Sequence, residues 1–176
     1  MEAPRQVHVI GVGPGPAAQH VEVEPYQPAG ALAIRDFPAF DVEGREIPYR
    51  KRAGGLVWFD FAALCGGPRS YADYVDLAQR FHTVLLSGVP VMSSKNAAYQ
   101  DMARRFTWLV DVFYDVRVKL FVAAEAGPDE LFVEGEHSAE FARAASRLTE
   151  MQSADYLQAE RRSDSGGSGK VQGLPA

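Results

Sequence analysis

The sequence predicts an α/β fold built from βαβ layers with parallel strands, together with a β-rich N-terminal segment. Between Asn96 and Glu125, apolar residues first recur three and four positions apart, which places them on one face of a helix. These residues are Tyr99, Met102, Phe106, Leu109, Val110 and Phe113. Residues 118–124 then form a nearly unbroken apolar run, typical of a strand covered on both sides. Residues 83–86 form another short apolar strand before the helix, so the three elements predict a βαβ unit with parallel strands.

Length and composition indicate one globular domain with a substantial core. Of the 176 residues, 47% are hydrophobic and 23% are charged, which is ordinary for such a domain. The net charge of −5 argues against a nucleic-acid-binding surface. No apolar run approaches the roughly 20 residues of a membrane span, and the N-terminus is unlike a signal peptide, so we expect a cytoplasmic protein. The single cysteine, Cys65, allows no internal disulfide and offers no zinc pattern.

The chain divides into three parts by pattern. Residues 1–38 are an N-terminal segment with little regular pattern, and residues 39–160 are the α/β region. Residues 161–176 are rich in glycine and serine, and we expect them to form a disordered tail.

The N-terminal segment contains a predicted strand at residues 7–10, followed by three glycines within residues 11–15. Gly11 and Gly13 match the first two glycines of a dinucleotide-binding fingerprint. Pro16 stands where the last glycine of that motif is needed. Residues 19–25 alternate like a second strand rather than starting a helix. An ordinary turn between two strands is therefore the favoured interpretation.

Residues 40–61 predict a hairpin and then a central strand. Residues 40–42 and 46–49 flank a tight turn, and the basic run at residues 50–52 is typical of a solvated edge. The apolar strand at residues 56–61 contains one acid, Asp60. In a P-loop enzyme such an acid could hold magnesium, but the second acid of that pattern is absent. We favour the alternative, in which Asp60 caps the turn at residues 62–65.

Helix-start signals occur at three further places. Ser70 and Asp73 have capping-box spacing before a helix over residues 71–80. Pro128 predicts the first turn of a short helix, and Ser138 starts another. The buried face predicted for that last helix consists of Phe141, Ala144, Ala145, Leu148 and Met151.

The sequence contains no Walker A motif, which places backbone amides, a lysine and a hydroxyl around nucleotide phosphates. Its nearest approach, at residues 169–171, has valine where the hydroxyl should be. The four histidines are scattered singly at His8, His20, His82 and His137, without the spacing of metal ligands. We therefore predict no metal site and no cofactor-binding residues.

Arginines next to apolar faces are the remaining candidates for chemistry. Arg104 and Arg105 lie on the long predicted helix, where Asp101 is a plausible surface partner of Arg105. Arg147 borders the apolar stripe of the last predicted helix. Such an arginine usually covers the core with its methylenes or pairs with Glu150 on its own helix. The sharper hypothesis makes Arg147 a catalytic finger or sensor aimed at a nucleotide phosphate.

Several motifs in residues 42–157 resemble the C-terminal part of the ZapE cell-division ATPases, which are AAA+ proteins related to the mitochondrial lactation-elevated ATPases. The motifs are Trp58-Phe59-Asp60-Phe61-Ala62-Ala63-Leu64-Cys65, Asp73-Tyr74, Phe81-His82-Thr83-Val84, Val89-Pro90, Ala103-Arg104-Arg105-Phe106, Leu109-Val110-Asp111, Tyr114-Asp115, Val118-Lys119-Leu120 and residues 146–157 beginning Ser146-Arg147-Leu148. The chain departs from the family at residues 141–145, where alanines replace part of the usual run before Ser146. Residues 1–35 show no such match.

The resemblance implies the C-terminal part of a P-loop-like AAA+ fold and an ATP-driven role at the bacterial division site through FtsZ. It also implies a homo-oligomer when full length, with ATP and magnesium bound by a Walker-containing portion that has no counterpart here. We therefore expect a C-terminal fragment or split product that is inactive alone. The alternative is a non-catalytic interaction module that binds a division or quality-control partner.

Overall fold

The computed structural model describes residues 8–10, 38–93, 96–133 and 138–162 of the protein. Its strands are β1 (His8–Ile10), β2 (Ala39–Val42), β3 (Arg45–Pro48), β4 (Lys51–Ala53), β5 (Leu56–Asp60), β6 (Thr83–Val89), β7 (Met92–Ser93), β8 (Lys119–Ala124) and β9 (Phe132–Val133). Its helices are α1 (Phe61–Cys65), α2 (Tyr71–Arg80), α3 (Ala97–Val116), α4 (Ser138–Glu150) and α5 (Ala154–Gln158), with a 3₁₀ helix at Pro128–Glu130.

The central sheet has five strands in the order β1-β8-β6-β5-β4. Its middle strands β5, β6 and β8 are parallel, with Val84 opposite both Val57 and Leu120. The outer strands β1 and β4 are antiparallel to their neighbours. The predicted βαβ unit is thus confirmed as β6, α3 and β8, and the strand predicted at residues 7–10 is present as β1.

The middle strands are fully buried on one face only. Along β8, Leu120 and Val122 are buried, whereas Lys119 and Phe121 are half-buried. The same alternation occurs along β5 and β6. The prediction that residues 118–124 are covered on both sides is therefore wrong, because alternating burial is typical of a sheet with one fully covered face.

The longest helix, α3, follows the predicted pattern closely. The Asn96 side chain accepts a hydrogen bond from the backbone N–H of Ala98 and so caps the first turn. Four of the predicted core residues are fully buried: Phe106, Leu109, Val110 and Phe113. The helix ends at Arg117, whose φ of 59° is left-handed although it is not glycine. The buried Val118 then leads the chain into β8.

Helices α2 and α4 also begin where their sequence signals predict. Ser70 and Asp73 form the complete capping box of α2. The Asp73 carboxylate is fully buried and lies 2.6 Å from Arg45, which ties β3 to α2. On α4, the buried face is the predicted one: Phe141, Ala144, Ala145, Leu148 and Met151.

The predicted hairpin is formed by β2 and β3, joined by Glu43 and Gly44. Both loop residues have positive φ, 53° and 74°, which is the geometry of a type I′ turn. Phe40 of this hairpin stacks on Tyr49 with ring centroids 4.3 Å apart, and both rings pack against the core. The hairpin thereby extends the hydrophobic core beyond the main sheet.

The basic run at residues 50–52 overlaps the edge strand β4. Lys51 and Arg52 are exposed there, as predicted for a solvated edge. Arg50 differs, since its Nε donates to Asp60 at 2.7 Å and its guanidinium lies 5.6 Å from the centre of the Trp58 ring. Short, charged edge strands oppose unwanted strand pairing between molecules.

Some sequence predictions lie outside the described residues. They are the turn at residues 11–16, the second N-terminal strand at residues 19–25, and the histidines His20 and His137. Of the predicted tail, residues 163–176 also lie outside. Its first two residues do make contacts: the Arg161 side chain donates to Gln79 O, and Arg162 N–H donates to Val116 O.

Candidate functional site

A polar network lies at the carboxyl ends of β5 and β6, the edge where ligands of parallel sheets gather. The Asp60 carboxylate accepts hydrogen bonds from Arg50 Nε at 2.7 Å and from Ser87 Oγ at 2.9 Å. Ser87 Oγ in turn accepts a hydrogen bond from Trp58 Nε1 at 2.9 Å. Parallel pairing places Asp60 directly opposite Ser87, which is why two residues far apart in sequence meet.

The structure corrects the predicted role of Asp60. Asp60 occupies the N-cap position of α1, but its side chain makes no capping hydrogen bond. The carboxylate charge is instead balanced by Arg50. To bind magnesium, the Asp60 carboxylate would have to give up its guanidinium and hydroxyl partners. The network instead joins Arg50, the residue before β4, to the ends of β5 and β6.

No group of histidine, cysteine and carboxylate side chains among the described residues is arranged to hold a metal ion. In the same part of the chain, no helix is both long and apolar enough to cross a membrane.

A second polar cluster, which joins α3 to α4, contains the predicted finger Arg147. Arg147 Nη1 donates to Asp111 Oδ1 at 2.5 Å, and its Nη2 lies 3.7 Å from Asp115 Oδ1. Arg143 lies one turn earlier and contacts the other oxygen of Asp111 at 3.0 Å. The Arg147 guanidinium also lies 4.8 Å from the centre of the Tyr114 ring. We call these residues, together with Glu150, the Arg147 cluster.

The predicted local partner of Arg147 is wrong. Its carboxylate partners are Asp111 and Asp115 on α3, whereas Glu150 accepts a hydrogen bond from Tyr114 OH at 2.7 Å. That hydrogen bond is the main cause of a raised Tyr114 pKa. Three carboxylates and two guanidinium groups thus meet where α3 packs on α4.

Electrostatics restrict what the Arg147 cluster can bind. The Arg147 side chain is 24% exposed and Asp111 is 15% exposed, so their ion pair is screened less than a surface pair. Asp115 is 58% exposed and makes the longer contact. Asp115 therefore holds the Arg147 guanidinium less tightly than Asp111 does.

The predicted pairing of Asp101 with Arg105 on α3 is wrong. Asp101 pairs with Arg104 at 2.9 Å, three residues along the helix, and not with Arg105. Arg105 points into the protein and donates to the backbone carbonyl of Cys65 at 3.1 Å. Arg105 therefore joins α3 to the end of α1.

Sequence analysis missed Asp111, Asp115 and Ser87 as members of these clusters. A usable signal existed for two of them, because Asp111 and Asp115 are four residues apart and so are Arg143 and Arg147. Each pair shares one helix face, so two helices that pack together could be expected to match them. Ser87 had no comparable signal, since its partner depends on strand register.

The inner strands of the sheet are parallel, and a helix follows each of them along the chain. This is the α/β architecture of the P-loop class to which the AAA+ ATPases belong. The family model described as AFG1-like ATPase matches residues 25–160, and the chain belongs to that family. This match begins earlier than the resemblance described above, which starts near residue 42.

Two curated relatives show the extent of the likeness. Cell division protein ZapE of Escherichia coli K12 is 46% identical over 123 residues, which are 70% of this chain and 32% of the relative. Lactation elevated protein 1 homolog B of Danio rerio is 35% identical over 111 residues, 63% of this chain and 22% of the relative. The chain thus spans about a third or less of the length of these relatives. No solved structure matches it.

Proposed function

We propose that this chain is the C-terminal part of a ZapE-like AAA+ ATPase that acts in bacterial cell division. The observation that carries the proposal is its 46% identity to a protein named for cell division, within a family of ATPases. In this proposal ATP and magnesium are bound by the Walker-containing part of such an ATPase, and this chain contributes contacts between subunits of a cytoplasmic homo-oligomer. The division protein FtsZ is the proposed partner.

Within that proposal, Arg147 is the arginine finger or sensor. Asp111 and the Tyr114 ring hold its guanidinium in place, so little side-chain entropy is lost when a phosphate binds. A phosphate of the nucleotide bound to a neighbouring subunit would displace Asp115 and accept hydrogen bonds from Nη2 of the Arg147 guanidinium. Such fingers contribute about 10³-fold or more to turnover.

Substitutions in full-length E. coli ZapE, at the positions equivalent to those named here, test this role. We expect Arg147→Ala to abolish ATP turnover, while ATP affinity and melting temperature change little. Asp111→Asn should lower turnover because Arg147 loses its anchor. Asp115→Asn, the matched control, should leave turnover unchanged or raise it, because it removes a competitor of the phosphate.

Steady-state phosphate release, nucleotide binding and thermal melting should be measured on each variant. Under a purely structural role, Arg147→Ala and Asp111→Asn would lower the melting temperature and leave turnover per folded molecule unchanged. That pattern would remove Arg147 from the catalytic machinery.

The chain itself should neither hydrolyse ATP nor be stabilised by it. The sequence has no Walker A lysine and hydroxyl to contact the phosphates, so Mg-ATP should not raise its melting temperature. Thermal melting with and without Mg-ATP, and phosphate release, measure this, with full-length E. coli ZapE as the active control. Turnover that persists through stringent purification would contradict the expectation.

A non-catalytic interaction module is the second candidate. It is favoured by the ion pairs that already engage Arg147, which a structural arginine also makes. Binding to FtsZ polymers discriminates the two: in a pelleting assay a module would bind alone, whereas the ATPase part would act only when joined to its Walker-containing portion.

A further inference from the structure

A cavity of about 450 Å³ lies between α2 and α3, on the side where Arg161 contacts α2 and Arg162 contacts α3. Its floor is apolar and is formed by Val75 of α2 together with Val112 and Val116 of α3. We call it the α2–α3 groove. It lies apart from the Asp60 network, and the Arg147 cluster touches it only through Asp115.

One end of the groove carries an aromatic side chain that the fold leaves in solvent. Tyr71, the first residue of α2, is 48% exposed and is the one large hydrophobic side chain among the described residues that is classed as exposed. The ring and the apolar floor together offer apolar surface that a partner can cover, and aromatic residues are enriched at interfaces.

The rim carries two arginines whose charges are not balanced by ion pairs among the described residues. Arg161 Nη2 donates to Gln79 O at 2.9 Å, and Arg162 Nη1 donates to Asp115 O at 3.4 Å. Both acceptors are backbone carbonyls near the ends of α2 and α3, where the helix dipole favours a cation. The other N–H groups of each fork make no hydrogen bond with the described residues, so they can donate to an anion.

Asp115, the one acid among the described residues that line the groove, does not cancel this charge. The Asp115 carboxylate lies 3.7 Å from Arg147 Nη2, so it is already shared with a guanidinium outside the groove. The groove therefore offers an apolar floor, an exposed ring and two cations, each with one hydrogen bond to a helix carbonyl.

We propose that the α2–α3 groove binds a short peptide segment in which an apolar side chain is flanked by carboxylates. The apolar side chain would cover Val75 and Val116, and the carboxylates would pair with Arg161 and Arg162, as bidentate Arg–carboxylate geometry allows. This binding is independent of the proposed ATPase role, because none of its contacts uses nucleotide or the Arg147–Asp111 pair.

The test uses the full 176-residue chain and two fluorescein-labelled peptides. The first has leucine and phenylalanine flanked on each side by two aspartates, and the second has lysines in place of the aspartates. Fluorescence anisotropy at low salt should show the acidic peptide binding at least about tenfold more tightly than the basic one. Its affinity should fall as salt is added, because rim charge pairs are screened.

Two variants locate the site, and a third is the control. The double substitution Arg161→Glu with Arg162→Glu should weaken binding of the acidic peptide by about tenfold or more, and Tyr71→Ala should weaken it severalfold. Lys51→Glu makes the same charge change per residue on the edge strand β4, outside the lining of the groove, and should change binding less than twofold. Circular dichroism melts of Tyr71→Ala and Lys51→Glu should be unchanged, since both side chains are exposed. The double substitution removes two exposed contacts to helix carbonyls, so it should lower the melting temperature slightly while the chain stays folded.

NMR chemical shifts of Tyr71, Val75 and Val116 should move on addition of the acidic peptide. Three results would each overturn the proposal: equal binding of the two peptides, no effect of the double substitution, or shifts confined to another surface. Concentration-dependent dimerisation that the double substitution abolishes, without peptide binding, would assign the groove to a second copy of the chain instead.

Discussion

At the scale of single residues, the chain uses charge and polarity mainly to join elements that are distant in sequence. Asp73 is fully buried yet pairs with Arg45 from the hairpin. Lys119 donates to the carbonyls of Tyr156 and Ala159, and burial lowers its pKa. Removing Arg45 would leave the buried Asp73 carboxylate desolvated without compensation, whereas Lys119 is only half-buried. Asp73 and Lys119 therefore stabilise the fold by joining elements that are distant in sequence.

Cys65 provides a prediction about pH at this scale. Its thiol is fully buried, and burial raises its pKa from 9.0 to about 12. The native state therefore keeps the proton where the unfolded chain loses it, so the free energy of unfolding falls as the pH rises above about 9. Between pH 9 and 10 we expect a loss of about 1 kcal/mol from this group.

Urea unfolding at a series of pH values measures that loss. Cys65→Ala is the matched variant, because it removes the titrating group and leaves the backbone unchanged. Its stability should depend less steeply on pH over the same interval. If stability fell equally steeply with pH in the two proteins, Cys65 would not be the source of the effect. Rapid chemical labelling of the native thiol at pH 8 would also contradict the prediction, because it would show that the thiol is accessible.

At the scale of elements, the stability of the domain depends on α3, which packs beside α1, α2 and α4. Phe106 is the centre of an aromatic cluster, 5.7 Å from the ring of Phe61 and 6.4 Å from that of Phe141. Because these neighbours come from α1 and α4, one side chain connects three helices. Close packing of this kind leaves little room for the core to collapse around a deletion.

Phe106→Ala and Phe113→Ala should each lower the free energy of unfolding by about 3–5 kcal/mol, because both rings are fully buried and leave cavities. Chemical denaturation measures the loss. Tyr99→Ala, on the same face but only half-buried, is the control and should cost less than about 2 kcal/mol. If the phenylalanine variants lost only a few tenths of a kcal/mol in the free energy of unfolding, the apolar face of α3 would not be packed as described.

The helices could be predicted from sequence because their signals are local. The capping box of Ser70 and Asp73, and the spacing of apolar residues along α3, are complete within a few turns. The strands β7 and β9 were missed since two residues each carry no periodicity. The partner of Arg147 was missed for a related reason: Asp111 lies 36 residues away, and only the packing of α4 on α3 brings them together.

At the scale of the whole molecule, the strand order predicts unequal protection of the backbone amides from hydrogen exchange. β6 is at the centre, with parallel neighbours β5 and β8 on its two sides. β4 is an edge strand of three exposed residues. Amides whose hydrogen bonds break only on global unfolding exchange slowest, whereas those at frayed edges open locally.

Native-state hydrogen exchange followed by NMR should reveal this order. We expect the hydrogen-bonded amides of β6 and β8 to exchange at least about a hundredfold more slowly than those of β4, because the inner strands open only when the core that includes Leu86, Leu120 and Phe113 is exposed. Added urea should accelerate exchange of the inner amides strongly and that of β4 weakly, since global unfolding exposes far more surface than local opening. Equal rates in all three strands would mean that the sheet opens as one unit, and the edge would then contribute as much to stability as the centre.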